Sequence, residues 1–127
     1  MISDDKGTLA VLDDTDLVGR VSWVALRHGP SSACRALNVG MTLRPEHRGR
    51  GLGTAALRVF VGYLFDTQTV ERLEAGTDVE NLAAQRGLER AGFTREGVLR
   101  HAQFRAGAWR DVVLYSRLRH DPQPLQG

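Results

Sequence analysis

"RPEHRGRGLGTAAL", residues Arg44 to Leu57, decides how the rest of the chain is read. It places Gly49, Gly51 and Gly53 within five positions, directly before an apolar pattern of helical spacing. Glycine reaches backbone angles closed to other residues but loses the most entropy on folding, so such a cluster marks a special turn or a close approach. On its N-terminal side, "ACRALNVGMTL" puts Arg35, Leu37, Val39, Met41 and Leu43 on one face of a strand by the period of two. On its C-terminal side, Leu57, Phe60, Val61, Leu64 and Phe65 recur at three- and four-residue intervals, which predicts a helix from Thr54 to about Thr67.

A strand feeding a glycine-rich turn and a helix start is suited to binding phosphate. The first helical turn leaves backbone N–H groups without partners, and the macrodipole adds about half a positive charge there. Glycines let an anion approach those groups, and Arg48 and Arg50 add charge at the mouth. A Walker loop is excluded, because it ends in Gly-Lys-Ser/Thr and Lys6 is the only lysine. A dinucleotide fingerprint started at Gly49 fails at Thr54, where its last glycine belongs.

Working outward, "GTLAVLD" and "LVGRVSWVALR" read as strands joined at the hairpin signal "DDTD". With the strand before the glycine loop they predict an antiparallel meander. "VERLEAGT" is a short strand, and "TDVE", Thr77 to Glu80, fits a capping box that opens a second helix. That helix is expected to end at Ala91, with Gly92 and Phe93 forming a Schellman-type stop. "FTREGVLRHAQFRAG" and "AWRDVVLYSRL" read as two strands around a turn at "RAGA". The order β-β-β-α-β-α-β-β predicts an α/β fold with a mixed, mostly antiparallel sheet.

A chain of 127 residues, 42% hydrophobic and 25% charged, fits one globular domain over residues 1–127, with "HDPQPLQG" (residues 120–127) as a flexible tail. No apolar run approaches the roughly 20 residues of a membrane span, and "MISDDKGT" is unlike a signal peptide, so a cytoplasmic location is expected. Cys34 is the only cysteine, and the four histidines form no pair at ligand spacing, so no metal site is expected. Eight arginines between Arg86 and Arg119 face only Glu89, Glu96 and Asp111. Such a basic half suits an anionic ligand or nucleic acid, but with 6% aromatic residues and none alternating with the arginines, nucleic acid is disfavoured. Arg90, Arg95, Arg100, Arg105 and Arg110 read mostly as solvated surface, and Trp23 and Trp109 as core or interface.

Arg48-Gly49-Arg50-Gly51-Leu52-Gly53 between a strand and a helix resembles the pyrophosphate loop of the GNAT superfamily of acetyl-CoA-dependent N-acyltransferases. "NLAAQRGLERAGFTREGVLR", Asn81 to Arg100, is similar to that superfamily's second signature, and "REGVLR" with "WRDVVLYSRL" resembles its ribosomal-protein N-acetyltransferase branch. The resemblance runs from about Thr8 to Leu118 and implies a GNAT-like fold with acetyl-CoA as acyl donor and a primary amine as acceptor. It implies that Met41, Thr42 and Leu43 pair with the pantetheine arm. Backbone N–H groups from Arg48 through Gly49, Arg50, Gly51, Leu52 and Gly53 to Thr54 would take the pyrophosphate, and Gly53→Val would block it. Asn81 and Ala84 would lie near the thioester and the arm, with Arg86 toward the 3′-phosphate.

Direct attack on the thioester needs a base for the amine proton, and Glu46, Asp78 and His101 are the candidates. Many family members carry an acidic tyrosine four residues before the Gly of Gly-Phe; Leu88 stands there, and Tyr115 is the candidate substitute. Family members also begin with a strand and helices before the hairpin, and this sequence is expected to lack them. A homodimer is therefore expected to cover the gap, and a non-catalytic CoA-binding module is the alternative function.

Overall fold

The computed structural model describes residues 3–124. Its elements are β1 (Lys6–Asp13), β2 (Asp16–Arg27), β3 (Arg35–Leu43), α1 (Leu52–Thr67), β4 (Arg72–Asp78), α2 (Leu82–Arg90), β5 (Thr94–Arg105) and β6 (Ala108–Leu118). They form one sheet in the order β1-β2-β3-β4-β6-β5. Every neighbouring pair is antiparallel except β3 with β4. The parallel pair is joined through helix α1, which supplies the long crossover that parallel neighbours require.

Period-two alternation divides the sheet into two faces. On one, Leu37, Val39, Leu73, Ala75, Val113 and Tyr115 pack with Leu57, Phe60, Val61 and Leu64 of α1 and Leu88 of α2 in a single core. Trp23 joins this core at 3% exposure, whereas Trp109 stays 58% exposed. On the other face the alternate positions carry a polar chain: Arg72 donates to Glu74 at 2.8 Å and to Glu96 at 2.6 Å, and Ser116 donates to Glu96 at 2.5 Å. Arg72 first and Ser116 second hold the Glu96 carboxyl down at about 2.

The predicted stop of α2 forms as expected. Gly92 takes φ +95°, its N–H reaches the Glu89 carbonyl at 3.0 Å, and the Phe93 N–H reaches the Leu88 carbonyl at 3.0 Å. Helix α1 begins two residues earlier than the pattern predicts, at Leu52. In the expected tail, the Leu118 N–H bonds Asp121 Oδ2 at 2.9 Å and Pro124 lies against Gly92, and residues 125–127 lie outside the described residues. No helix among the described residues is long and apolar enough to cross a membrane.

Candidate functional site

The site begins where the parallel pair comes apart. β3 meets β4 only at Leu37↔Leu73 and Asn38↔Glu74. Beyond that point Met41, Thr42 and Leu43 stay paired with Val21, Arg20 and Gly19 of β2, while among the described residues no strand pairs with their other edge. Backbone N–H and C=O groups on such an edge can pair with an extended ligand.

The same strand leads into the glycine loop, and the three glycines serve different ends. Gly49 and Gly51 have φ +82° and +76°, and a Cβ on either would meet nothing within 4 Å, so they supply the left-handed turn and leave open space. Gly53 has an ordinary φ, but a Cβ there would stand 3.0 Å from Met41 Cε and 3.2 Å from Leu43 Cδ1. Its bareness lets α1 lie close on β3; a substituent there points at the strand rather than into the loop. Arg48 bonds the Leu43 carbonyl at 3.3 Å, and Arg50 contacts His47 Nδ1 at 2.7 Å. Glu46 sits exposed in a short 3-10 turn, Pro45–His47, before the loop.

The N-cap of α1 is Gly51, which has no side chain to cap the helix, so the amides of Leu52, Gly53 and Thr54 are left without an N-cap acceptor. Beside them lies a cavity of about 290 Å³ lined by Gly51, Thr54, Ala55, Arg58 and Arg90. Arg58 also donates to the Arg90 carbonyl at 2.7 Å, tying the two helices together. Arg86, the residue marked from sequence for the 3′-phosphate, is exposed one helical turn before Arg90 and does not line this cavity. Arg58 and Arg90 were missed; the helical spacing of Arg58 from Thr54 and of Arg90 from Arg86 was the available signal.

At the second helix the capping box is corrected. Thr77 and Asp78 remain in β4, paired with Val113 and Val112, and the N-cap is Asn81. Asn81 Oδ1 accepts the Ala84 N–H at 3.0 Å. That bond commits the Ala84 amide, while the Asn81 carboxamide nitrogen has no bond among the described residues. Asp78 accepts the Glu80 N–H at 2.8 Å and is also bonded by Arg105. The Glu80 amide first, and Arg105 after it, hold the Asp78 carboxyl below its ordinary range, which disfavours it as a base. Arg105 and Arg110, read from sequence as surface, are thus tethered to Asp78 and Glu80.

Tyr115 is fully buried and donates to Glu89 at 2.6 Å. Burial first and that bond second push its phenol up to about 12. Proton delivery from there to a ligand would require the core to open. His101 is exposed, stacked on Trp109 with ring centroids 6.5 Å apart. A carboxylate that sequence reasoning missed stands at the last β3–β4 pair: Glu74, 5% exposed, bonded to Arg72 and to half-exposed His28. His28 lies 46 residues away along the chain, so no local pattern could have linked them.

A forked parallel pair, whose leading strand runs through a glycine turn into a helix with glycine at its N-cap, is the framework of the site. The acetyltransferase (GNAT) domain family matches residues 2–94, and the chain belongs to that family. It is 34% identical over 110 residues to the probable N-acetyltransferase YjcK of Bacillus subtilis, covering 87% of this chain and 59% of that protein. It is 28% identical over 102 residues to the ribosomal protein uS5-alanine N-acetyltransferase of Escherichia coli, covering 80% of this chain and 51% of that protein. Among solved structures, Mycobacterium smegmatis RimJ in complex with CoA-disulfide superposes with a TM-score of 0.80 at 26% identity, over 90% of this chain and 53% of RimJ. The chain therefore spans between half and three fifths of the length of these relatives.

Proposed function

We propose that this protein transfers the acetyl group of acetyl-CoA to a primary amine, on a small molecule or a protein N-terminus. The observation that carries the reading is one continuous path: the unpaired edge of β3, the left-handed turn at Gly49 and Gly51, and the uncapped start of α1. Acetyl-CoA supplies the acyl group as a thioester. The edge of Met41, Thr42 and Leu43 holds the pantetheine arm. The amides from Arg48 to Thr54 bind the pyrophosphate, as helix starts do for anions. Arg58 and Arg90 add positive charge beside that turn, where the 3′-phosphate would lie. The Asn81 carboxamide nitrogen faces the arm from α2.

In the reaction the neutral amine nitrogen bonds to the carbonyl carbon, the C–S bond breaks, and the amine proton must leave. A backbone N–H near Met41 steadies the oxyanion. Glu74, buried at the fork, receives the proton, and His28 carries it to solvent. The thiolate of CoA departs without a protein acid, which spares Tyr115 a catalytic role. A two-fold homodimer belongs to this reading, supported by exposed Val98, Leu99 and Phe104 along the edge strand β5. A cytoplasmic location belongs to it too, supported by the single unpaired cysteine.

The test mixes protein, acetyl-CoA and a panel of amines and N-terminal peptides while following free thiol. Thiol release with at least one acceptor is expected. Glu74→Gln should cut the rate by about 10²-fold or more, as loss of a general base does, with CoA affinity retained. CoA binding without thiol release for any acceptor would leave a binding module.

A further inference from the structure

The β5–β6 hairpin extends past β4 and grips the turn that leads into α2. Arg105 donates from Nη2 to Asp78 Oδ2. The Asp111 carbonyl accepts the Val79 N–H at 3.1 Å, and Arg110 reaches Glu80 at 3.4 Å. Asp78 is the hub on the receiving side. Its Oδ1 holds the Glu80 N–H at 2.8 Å, and its carbonyl holds the Asn81 N–H at 2.9 Å. From the first turn of α2, Gln85 Nε2 closes the loop on the Val79 carbonyl at 2.9 Å.

The hairpin is shaped for this grip. The β5–β6 register shifts between Leu99 and Gln103, and His101 takes φ +49° with its N–H on Asp111 Oδ1 at 2.8 Å. Bulges of this kind re-aim the side chains that follow them. A left-handed backbone at a non-glycine residue persists only where its surroundings enforce it. Here the Asp111 side chain enforces it, while the Asp111 carbonyl simultaneously holds Val79.

We propose that Arg105 is a positioning residue: through Asp78 it sets the turn that presents Asn81 and the first turn of α2 to the thioester end of acetyl-CoA. This rests on the acetyl-CoA reading above for what the turn meets, and on the structure alone for what holds the turn. The Asp78 carboxylate is 9% exposed, and a guanidinium against it makes a charge-assisted bond of the stronger kind. Asn81 in turn has its backbone N–H on Asp78 and its side-chain oxygen on Ala84, so a shift of Asp78 moves the cap and the amide beside it together.

The experiment compares the full-length wild type with Arg105→Gln, Arg105→Lys, Asp78→Asn and the Arg105→Gln/Asp78→Asn double variant. Acetyl-CoA affinity is read by calorimetry, and amide hydrogen exchange is read at residues 80–85 against residues 55–60 of α1. Arg105→Gln should weaken acetyl-CoA about three- to tenfold, the span one such bond commands. It should raise KM for acetyl-CoA more than it lowers kcat, and speed exchange at 80–85 while leaving 55–60 unchanged. Arg105→Lys should recover most of both effects, and the double variant should be no worse than the poorer single one, since both break one contact. Asp78→Asn, which retains an acceptor for the Glu80 N–H, carries the test if Arg105→Gln proves too unstable to assay. Unchanged exchange at 80–85, or equal acceleration in both helices, would overturn the proposal. A wild type that fails to bind acetyl-CoA would overturn the functional reading instead, while the exchange measurement still decides whether Arg105 holds the turn.

Discussion

The two helices of this protein begin in opposite ways. α1 starts from Gly51 in the left-handed region, an N-cap with no side chain to bond its first amides. α2 starts from Asn81, whose side-chain oxygen takes the Ala84 N–H at 3.0 Å. Both starts carry the same unmet donors and the same positive dipole end. Folding stability favours closing them with a cap; anion binding favours leaving them open. α1 gives up a cap worth about 1 kcal/mol and keeps an open cradle, while α2 keeps the cap and is gripped by a neighbouring hairpin.

The strongest way to break this contrast is Gly51→Ala. At φ +76° an L side chain costs roughly 1–2 kcal/mol, and the loop would move to relieve it. CoA affinity measured by calorimetry should fall by about tenfold or more, as it does when amides turn away from a phosphate they bind. Wild-type affinity in this variant would mean that the open start of α1 is not the anion site.

Asn81→Ala attacks the other start. Loss of the cap should lower stability by about 1 kcal/mol in denaturant melts and weaken acetyl-CoA less than Gly51→Ala does. Asn81→Asp keeps the oxygen that caps Ala84 but not the carboxamide nitrogen, so it should restore stability without restoring affinity. Recovery of both would show that only the cap matters.

The far end of α2 sharpens the comparison through Tyr115, which bonds Glu89 in the helix's last turn. Tyr115→Phe should cost about 1 kcal/mol, the net value of one hydrogen bond, with acetyl transfer near neutral pH unchanged. Because the folded phenol is raised to about 12, its contribution is fully present below pH 10 and is lost as pH rises from 10 through 12. Ultraviolet titration against pH-dependent melts would reveal it. A drop in transfer rate at neutral pH in Tyr115→Phe would restore the phenol as an acid.

The smallest effect is expected in the middle of α1. Gly62 is exposed and a Cβ there meets nothing within 4 Å, so Gly62→Ala should stabilise by about 0.5–1 kcal/mol without altering CoA affinity. An affinity change would show that α1 transmits its stability to the loop.

Much of this was legible along the chain because it rests on near neighbours. The period of two in Leu37, Val39 and Met41 and the three-four spacing from Leu57 to Phe65 yielded β3 and α1 almost to their ends. Gly92-Phe93 announced the stop of α2, since a Schellman motif spans only six residues. Local signals failed where a distant strand outbid them. Thr77 and Glu80 have capping-box spacing, but pairing of Thr77 and Asp78 with β6 keeps them in a strand and passes the cap to Asn81. The three glycines looked alike in sequence, and only the position of Met41 and Leu43 separates Gly53, a packing glycine, from the two turn glycines.

What the sequence determined by itself was the order of elements, the glycine turn before α1 and the family the chain belongs to, all carried by periodicity and short motifs. Tertiary structure alone decided the contacts that join Glu74 to His28, Arg58 to the Arg90 carbonyl and Arg105 to Asp78, which lie 46, 32 and 27 residues apart. The physical reason is that a charged side chain's partner is set by where the sheet and helices bring the backbone. Residue type alone, repeated many times in an arginine-rich chain, names no partner.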